Sequence, residues 1–415
     1  MMPAVGNQAI MSKRSYNRSL FEPYINLSQH KQKKLYDDYY IPEPYTQTKD
    51  LYIPTPIKRL KKLKKTKVEP YVPRIISLNP STNPQPSRYA STDVNWLDFT
   101  TTVSNPEKIR RLIEKNGFVI VKDVLNADEC KEVIDEIWDS MEKITAKLHV
   151  ELDRNKPATW SNIKKQHNIR NIYCNHGIAH TDVLWKIRQN SNILQVYSTL
   201  LRCRPKDLLV SFDGVSVHTP PEYSNNKRGW YNNNSWYHVD SGTNRQCFQS
   251  WVTARDVNPG DYTIGFFVKS HKSFNNFRRR FNITSKKNFY KLRTKQEMEY
   301  YEARHHQIRI SCPAGSLVVW DSRLLHSGLE PLRTRTNPNH RTVCFVSYGN
   351  RVNATPKTLH KRISLYRNRR ATTHWTDINL CTIPEKKIGN LTKLETFPLE
   401  TKMLKSLVGF NESEL

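Results

Sequence analysis

The sequence predicts a mainly β domain with flanking helices, folded as a double-stranded β-helix, or jelly roll. Three observations lead there. Apolar runs of strand length, bounded by turn-forming residues, recur at 118–121, 207–217, 247–257, 264–268 and 342–348. Helical periodicity concentrates ahead of most of them, over 106–115, 128–144 and 181–201. His238 and Asp240 are separated by one β-branched residue, and a third ligand type, His326, lies far downstream. That spacing suits metal ligands on an early and a late strand of one roll.

In chain order, residues 1–92 are rich in Tyr, Pro, Lys, Asn and Ser with little apolar periodicity, and read as a basic, disordered arm. Within it the run 58–67 is dense in Lys and Arg, the pattern of a nuclear localisation signal or nucleic-acid patch, against the plainer reading of a solvated linker. A domain is expected over 93–352. Its first helix starts at Pro106 and stops at Asn116-Gly117. A strand follows, then an amphipathic helix marked by Val133, Ile137, Trp138, Met141 and Ile144. Two helices over 181–188 and 192–201 lead to a strand over 207–217, broken by a turn at Asp213-Gly214. The polar loop 225–234 sits where substrate contacts are often carried. The strand 247–257 enters a turn at 258–261, and 264–268 is expected to return as its hairpin partner. A basic insertion, 272–305, carries Arg278, Arg279 and Arg280; a lid for an anionic substrate is weighed against a solvated helix face. Residues 353–415 form a basic C-terminal extension containing Thr372-Thr373-His374-Trp375, for which docking on the core is one option.

On a strand, side chains alternate faces, so His238 and Asp240 project to the same side. The triplet alone arises by chance in many chains. With His326 it forms the two-histidine, one-carboxylate facial set of non-haem iron, which leaves positions open for a bidentate 2-oxo acid. A cation is then needed for that acid's far carboxylate, and Arg341 opens the apolar run 342–348. Its planar fork suits a carboxylate in a way that lysine does not. His167, His176, His180 and His218 read as surface or hydrogen-bonded residues and are set aside.

Together, His238-x-Asp240, His326 and Arg341 resemble the phytanoyl-CoA dioxygenase family of Fe(II)- and 2-oxoglutarate-dependent oxygenases. Gly117-Phe118-Val119-Ile120-Val121, followed by the acidic helix start 126–130, is similar to the opening of that family's fold, and the likeness extends over 95–350. The resemblance implies a cupin-like roll in which His238, Asp240 and His326 bind Fe(II) and are catalytic. It also implies that Arg341 pairs with the C5 carboxylate of 2-oxoglutarate, and that ascorbate serves as reductant. Trp251 corresponds to a residue flanking the cosubstrate in some members, and Ser327 is placed to add a hydroxyl near the carboxylate. The implied reaction is hydroxylation of an unidentified small-molecule or macromolecular substrate, with release of succinate and CO2. Lys269, in Lys269-Ser270-His271, stands where the family motif has Gly, and the family's His at that place is not a ligand. Asp240 argues against a halogenase, whose carboxylate is replaced. A zinc site on the same ligands would leave Arg341 without a purpose.

The formal charge of +28 implies attraction to polyanions. It supports a reading from another class, a non-catalytic jelly-roll scaffold binding nucleic acid or another polyanion through the arm and lid. Cys130, Cys174, Cys203, Cys247, Cys312, Cys344 and Cys381 form no close pairs, the usage of a reduced intracellular protein. No apolar stretch is long enough for a membrane span, and the N-terminus lacks the basic and apolar pattern of a secretory signal. Cytosol or nucleus is the expected compartment.

Overall fold

The computed structural model of the protein describes residues 96–414, apart from 167, 170, 224–235, 242, 244, 286, 379 and 386–388. The expected arm over 1–92 with its basic run, the polar loop 225–234 and His167 lie outside the described residues. The helices are α1 (Pro106–Asn116), α2 (Ala127–Thr145), α3 (Asp182–Gln189), α4 (Ser191–Leu201), α5 (Ser270–Arg280), α6 (Lys295–Glu302), α7 (Pro356–Arg367) and α8 (Lys402–Val408). The strands are β1 (Thr100–Thr102), β2 (Phe118–Lys122), β3 (Asn168–Ile169), β4 (Ile172–Tyr173), β5 (Leu208–Val210), β6 (Val215–His218), β7 (His238–Val239) and β8 (Phe248–Thr253). They continue as β9 (Thr263–Phe267), β10 (Tyr290–Lys291), β11 (Gln307–Arg309), β12 (Leu317–Asp321), β13 (His326–Leu329), β14 (Arg341–Phe345) and β15 (Tyr348–Asn350).

Local chemistry sets the boundaries. Asn105 caps α1 by accepting from Lys108 N, Pro106 occupies the first turn, and Gly117 ends the helix at φ 89°. Asn126 and Glu129 form a reciprocal capping box that starts α2. At Gly214 a Cβ would lie 2.0 Å from the Tyr173 carbonyl oxygen, so the turn between β5 and β6 admits only glycine.

Two sheets make the roll. The larger runs β1-β2-β12-β8-β14-β6-β4-β3, and the smaller runs β10-β7-β13-β9-β11. From β7 onward the chain passes repeatedly between them. Side chains of both meet in one interior: Phe118, Ile120, Trp251, Val318, Trp320 and Val343 from the larger sheet, Ile264, Phe266 and Ile308 from the smaller. The outer face of the larger sheet packs Val119, Val121, Val252 and Val319 against α1 to α4 and α8. The outer face of the smaller sheet packs Tyr237, Val239 and Phe267 against Phe274, Phe277, Met298 and Tyr301 of the insertion.

This layering corrects the expectation of a mainly β domain, because helical residues outnumber strand residues. The reason is physical. Every residue of β8, β9 and β12 is buried, so both outer faces of the roll are apolar and each needs a helical cover. The hairpin expected from 247–257 and 264–268 is also corrected. β8 pairs with β12 and β14, whereas β9 pairs with β13 and β11, so the turn at 258–261 carries the chain from one sheet to the other. Among the described residues no helix is long and apolar enough to cross a membrane.

Residues 356–408 extend the larger core. Tyr366, Leu404, Leu407 and Val408 join its helical layer, and Arg362, fully buried, donates to the carbonyls of Val408, Thr376, Val210 and Leu407 at 2.6–3.0 Å.

Candidate metal and cosubstrate site

β13 lies between β7 and β9, and His326 pairs in register with both His238 and Phe266. Register neighbours share a face, so the two imidazoles point into the roll together, with ring centroids 4.2 Å apart. Asp240 follows β7, its main-chain N–H held by the Ser322 carbonyl at 2.7 Å. Its carboxylate meets His238 Nε2 at 3.4 Å and His326 Nε2 at 3.1 Å. Candidate ligand atoms of these three buried residues all lie within 4.8 Å of one another. Each histidine is oriented from behind: His238 Nδ1 bonds the Trp236 carbonyl at 2.7 Å and His326 Nδ1 bonds the Leu324 carbonyl at 2.9 Å. Such bonds fix the tautomer that leaves Nε2 as a lone pair for a metal. Burial would raise the Asp240 carboxyl, but the charges of His238 and His326 outweigh it and hold the group well below the usual carboxylate range. Two imidazoles with Nε2 turned inward and one carboxylate on a single face are the donor set of an Fe(II) facial triad.

Arg341 opens β14 and pairs in register with His218 on β6. It is 6% exposed, and no carboxylate of the described residues lies within ion-pair distance. Its guanidinium lies 5.3 Å from the Trp251 ring and 5.4 Å from the Tyr262 ring, and Nη1 donates to Ser216 Oγ at 3.1 Å. Arg341 Nε and Trp251 Nε1 are buried without partners. Burial pulls the guanidinium down to about 10. A buried cation with free donors and no counter-ion is a cradle for an anion.

Of the residues singled out on sequence, His238, Asp240 and His326 come together, and Arg341 and Trp251 come together beside them in the same interior. Ser327 does neither. One residue past His326 on an extended strand, it faces away from the roll with Gly265, and its hydroxyl donates to the Gly328 carbonyl at 3.0 Å. His180 bonds the Arg370 carbonyl, His218 bonds Ser216 and stacks on Tyr262, and His271 bonds the Glu114 carbonyl at the end of α1. Lys269 occupies the left-handed region at φ 66°, which explains why a glycine suits that place.

Four functional neighbours escaped sequence reasoning. Gln249 donates to Asp240 Oδ2 at 2.6 Å from β8, a buried polar residue in a strand whose pattern shows only its apolar neighbours. Tyr262 and Ser216 flank Arg341 from a turn and from β6. His374, in the C-terminal segment, sets its ring within hydrogen-bonding reach of the Asp240 main chain and close to His238 and His326. Trp375 beside it donates to the Asn288 carbonyl of the insertion. The pairing of His374 with a polar Thr-rich run was visible, but no local pattern ties it to β7.

The sequence profile of the phytanoyl-CoA dioxygenase (PhyH) family matches residues 113–332, a span that holds all three triad residues and stops short of Arg341. No curated protein matches the chain. Among solved structures, a putative oxidoreductase from Salmonella typhimurium LT2 is 12% identical with a TM-score of 0.49, covering 75% of this chain and 86% of that one. EctD from S. alaskensis, crystallised with 2-oxoglutarate and 5-hydroxyectoine, is 13% identical with a TM-score of 0.40, over 71% and 88% of the two chains. The epimerase SnoN, crystallised with Fe3+, alpha ketoglutarate and nogalamycin RO, is 14% identical with a TM-score of 0.38, over 61% and 91%. With the profile spanning more than half of its residues, this chain belongs to the phytanoyl-CoA dioxygenase family.

Proposed function

We propose that the protein is an Fe(II)- and 2-oxoglutarate-dependent dioxygenase that hydroxylates a substrate C–H bond. In this reading His238, Asp240 and His326 hold the iron, and Arg341 receives the C5 carboxylate of 2-oxoglutarate. The observation that carries it is the coexistence, in one interior, of a two-histidine, one-carboxylate group and a buried guanidinium with no acid partner. When bound, iron with 2-oxoglutarate supplies oxidising power from O2, one oxygen atom leaving in succinate as CO2 is lost and the other entering the substrate as hydroxyl.

The chain's own residues supply placement. Arg341 and Ser216 fix the far carboxylate, while Trp251 and Tyr262 wall the guanidinium from water, which strengthens its attraction for an anion. Gln249 holds one oxygen of Asp240, directing the carboxylate toward the two Nε2 atoms. The alternative of a polyanion-binding scaffold gives no account of a buried, acid-free Arg341.

The test is release of succinate by purified protein given Fe(II), ascorbate and 2-oxoglutarate, compared with Asp240→Ala. Slow succinate release without added substrate, abolished in the variant, is the expected result. Wild-type protein that neither releases succinate nor binds 2-oxoglutarate would overturn the reading.

A further inference from the structure

We infer that the metal-bearing face also carries a seat for a nucleoside phosphate, free or within a single-stranded nucleic acid. The inference deepens the function proposed above by naming its substrate class. It starts from β10, the strand that the insertion returns to the edge of the smaller sheet. Lys291 pairs in register with His238, and Tyr290 with Val239. Tyr290 packs in the outer cluster with Phe277, so Lys291 is on the inner face, one strand spacing, about 4.8 Å, from His238. Lys291 is exposed and forms no ion pair with any described residue. It is a free cation at the rim, beside the proposed metal ligands.

Alternation places Phe289 on the same side as Lys291, and Trp236 on the same side as His238 and Asp240. The Trp236 ring lies 3.6 Å from that of His238 and 5.7 Å from that of Phe289, which is 43% exposed. These rings, tilted to one another by 34° and 54°, run from the metal face to the surface. His374 stands beside Asp240. Its one main-chain hydrogen bond, to Asp240, leaves Nε2 as the acceptor, and that atom is buried without a partner. A buried acceptor of this kind calls for a donor from outside the chain.

The complementary ligand presents an N–H or O–H donor, a flat ring and an anion. A nucleobase with its own phosphate has all three: ring N–H or amino group toward His374, ring face on the exposed Phe289 beside Trp236, phosphate on Lys291. A fatty acyl chain would leave His374 unpaired and the Phe289 ring unstacked. The formal charge of +28 and the exposed Arg279 and Arg280 of α5 favour the same ligand at longer range.

The test uses the full chain, with thymidine monophosphate and a fluorescein-labelled single-stranded heptathymidylate as separate probes at fixed salt. Lys291→Glu and His374→Leu are each expected to weaken binding by about tenfold, Phe289→Ala by somewhat less, and His374→Gln, which keeps an acceptor, to restore it. Equal sensitivity with both probes assigns the seat to the nucleotide itself; sensitivity with the oligonucleotide alone assigns it to a base within a strand. If neither probe binds, or if binding is indifferent to Lys291, Phe289 and His374, the inference is overturned. Binding of 2-oxoglutarate, read from tryptophan fluorescence in the same samples, separates the two proposals. Intact 2-oxoglutarate binding without nucleotide binding removes the seat and keeps the oxygenase, and the reverse result removes the oxygenase and keeps the seat. Unchanged denaturation midpoints show that the variants are folded.

Discussion

Two arginines, Arg341 and Arg362, are buried in different parts of the molecule, and neither has a carboxylate partner among the described residues. At Arg362 four main-chain carbonyls accept from the guanidinium, and the Phe212 ring lies 5.0 Å from it. Three separate stretches of chain, around β5, at Thr376 and at the end of α8, are pinned to α7 by one side chain. At Arg341 a single serine hydroxyl accepts and Nε has no partner. Burial depresses both, to about 9 and about 10. Burial of a cation therefore does not distinguish scaffold from site here; free donors with no facing carboxylate do. Arg188 also has free donors, Nε and Nη1 being buried without partners, but its Nη2 donates to the Asp213 carbonyl and its charge faces the Asp213 side chain.

The comparison can be broken most sharply at Arg362. Arg362→Met leaves four buried carbonyls without donors and should cost about 3–5 kcal/mol, read as a fall in the urea midpoint, with 2-oxoglutarate affinity of the folded fraction unchanged. Arg341→Met should do the opposite. The stability read from its urea midpoint should change by less than about 1 kcal/mol, while 2-oxoglutarate affinity by calorimetry falls about 10–100-fold, the worth of a charged hydrogen-bonded pair. Arg341→Lys should not recover that affinity, because an ammonium lacks the fork. Equal destabilisation by the two methionine variants would erase the distinction.

The anchored region can also be probed by protons. His180 packs against Phe212 and Tyr366 near Arg362, and burial, aided by Arg188, lowers it to about 3. The unfolded histidine, near 6.5, takes up its proton first as pH falls. The neutral form's contribution is thus fully present above about pH 6.5 and is lost from there toward pH 3, by at most about 1.4 kcal/mol per pH unit. Urea midpoints between pH 7 and pH 4 should show that slope, and His180→Gln should flatten it. The smallest effect belongs to Lys269. Replacing it by Gly relieves a left-handed lysine and should raise stability by about 1 kcal/mol or less, seen as a small rise in Tm.

Much of the site was legible because it obeys the two-residue period of a strand. His238 and Asp240 share a face for that reason, and Arg341 was found by its place at the head of an apolar run. The same period, applied to the neighbours His326 and Ser327, argues that Ser327 points away; the expectation for it followed the resemblance instead of the geometry. The hairpin was misread because a turn signal marks where a strand stops and is silent on which sheet the next one joins. Gln249 and Ser216 were missed because a neutral polar residue in a buried strand carries no mark of its partner. His374 was missed because its approach to Asp240 depends on how α7 and the segment after it pack, which no local spacing encodes. The helical content exceeded expectation since covering two apolar sheet faces is a demand of the whole fold.

The return of the insertion through β10 has a consequence for how this chain can be altered. By position, 272–305 looks like a module that could be cut from between β9 and β11 and replaced by a short connector. Its two-residue strand, however, is the outer neighbour of β7, and its Asn288 carbonyl holds Trp375. Excision would leave the His238 strand as an open margin with unpaired main-chain groups and would unfasten the segment bearing His374. The graft point lies between two other strands, but the damage would surface at the triad.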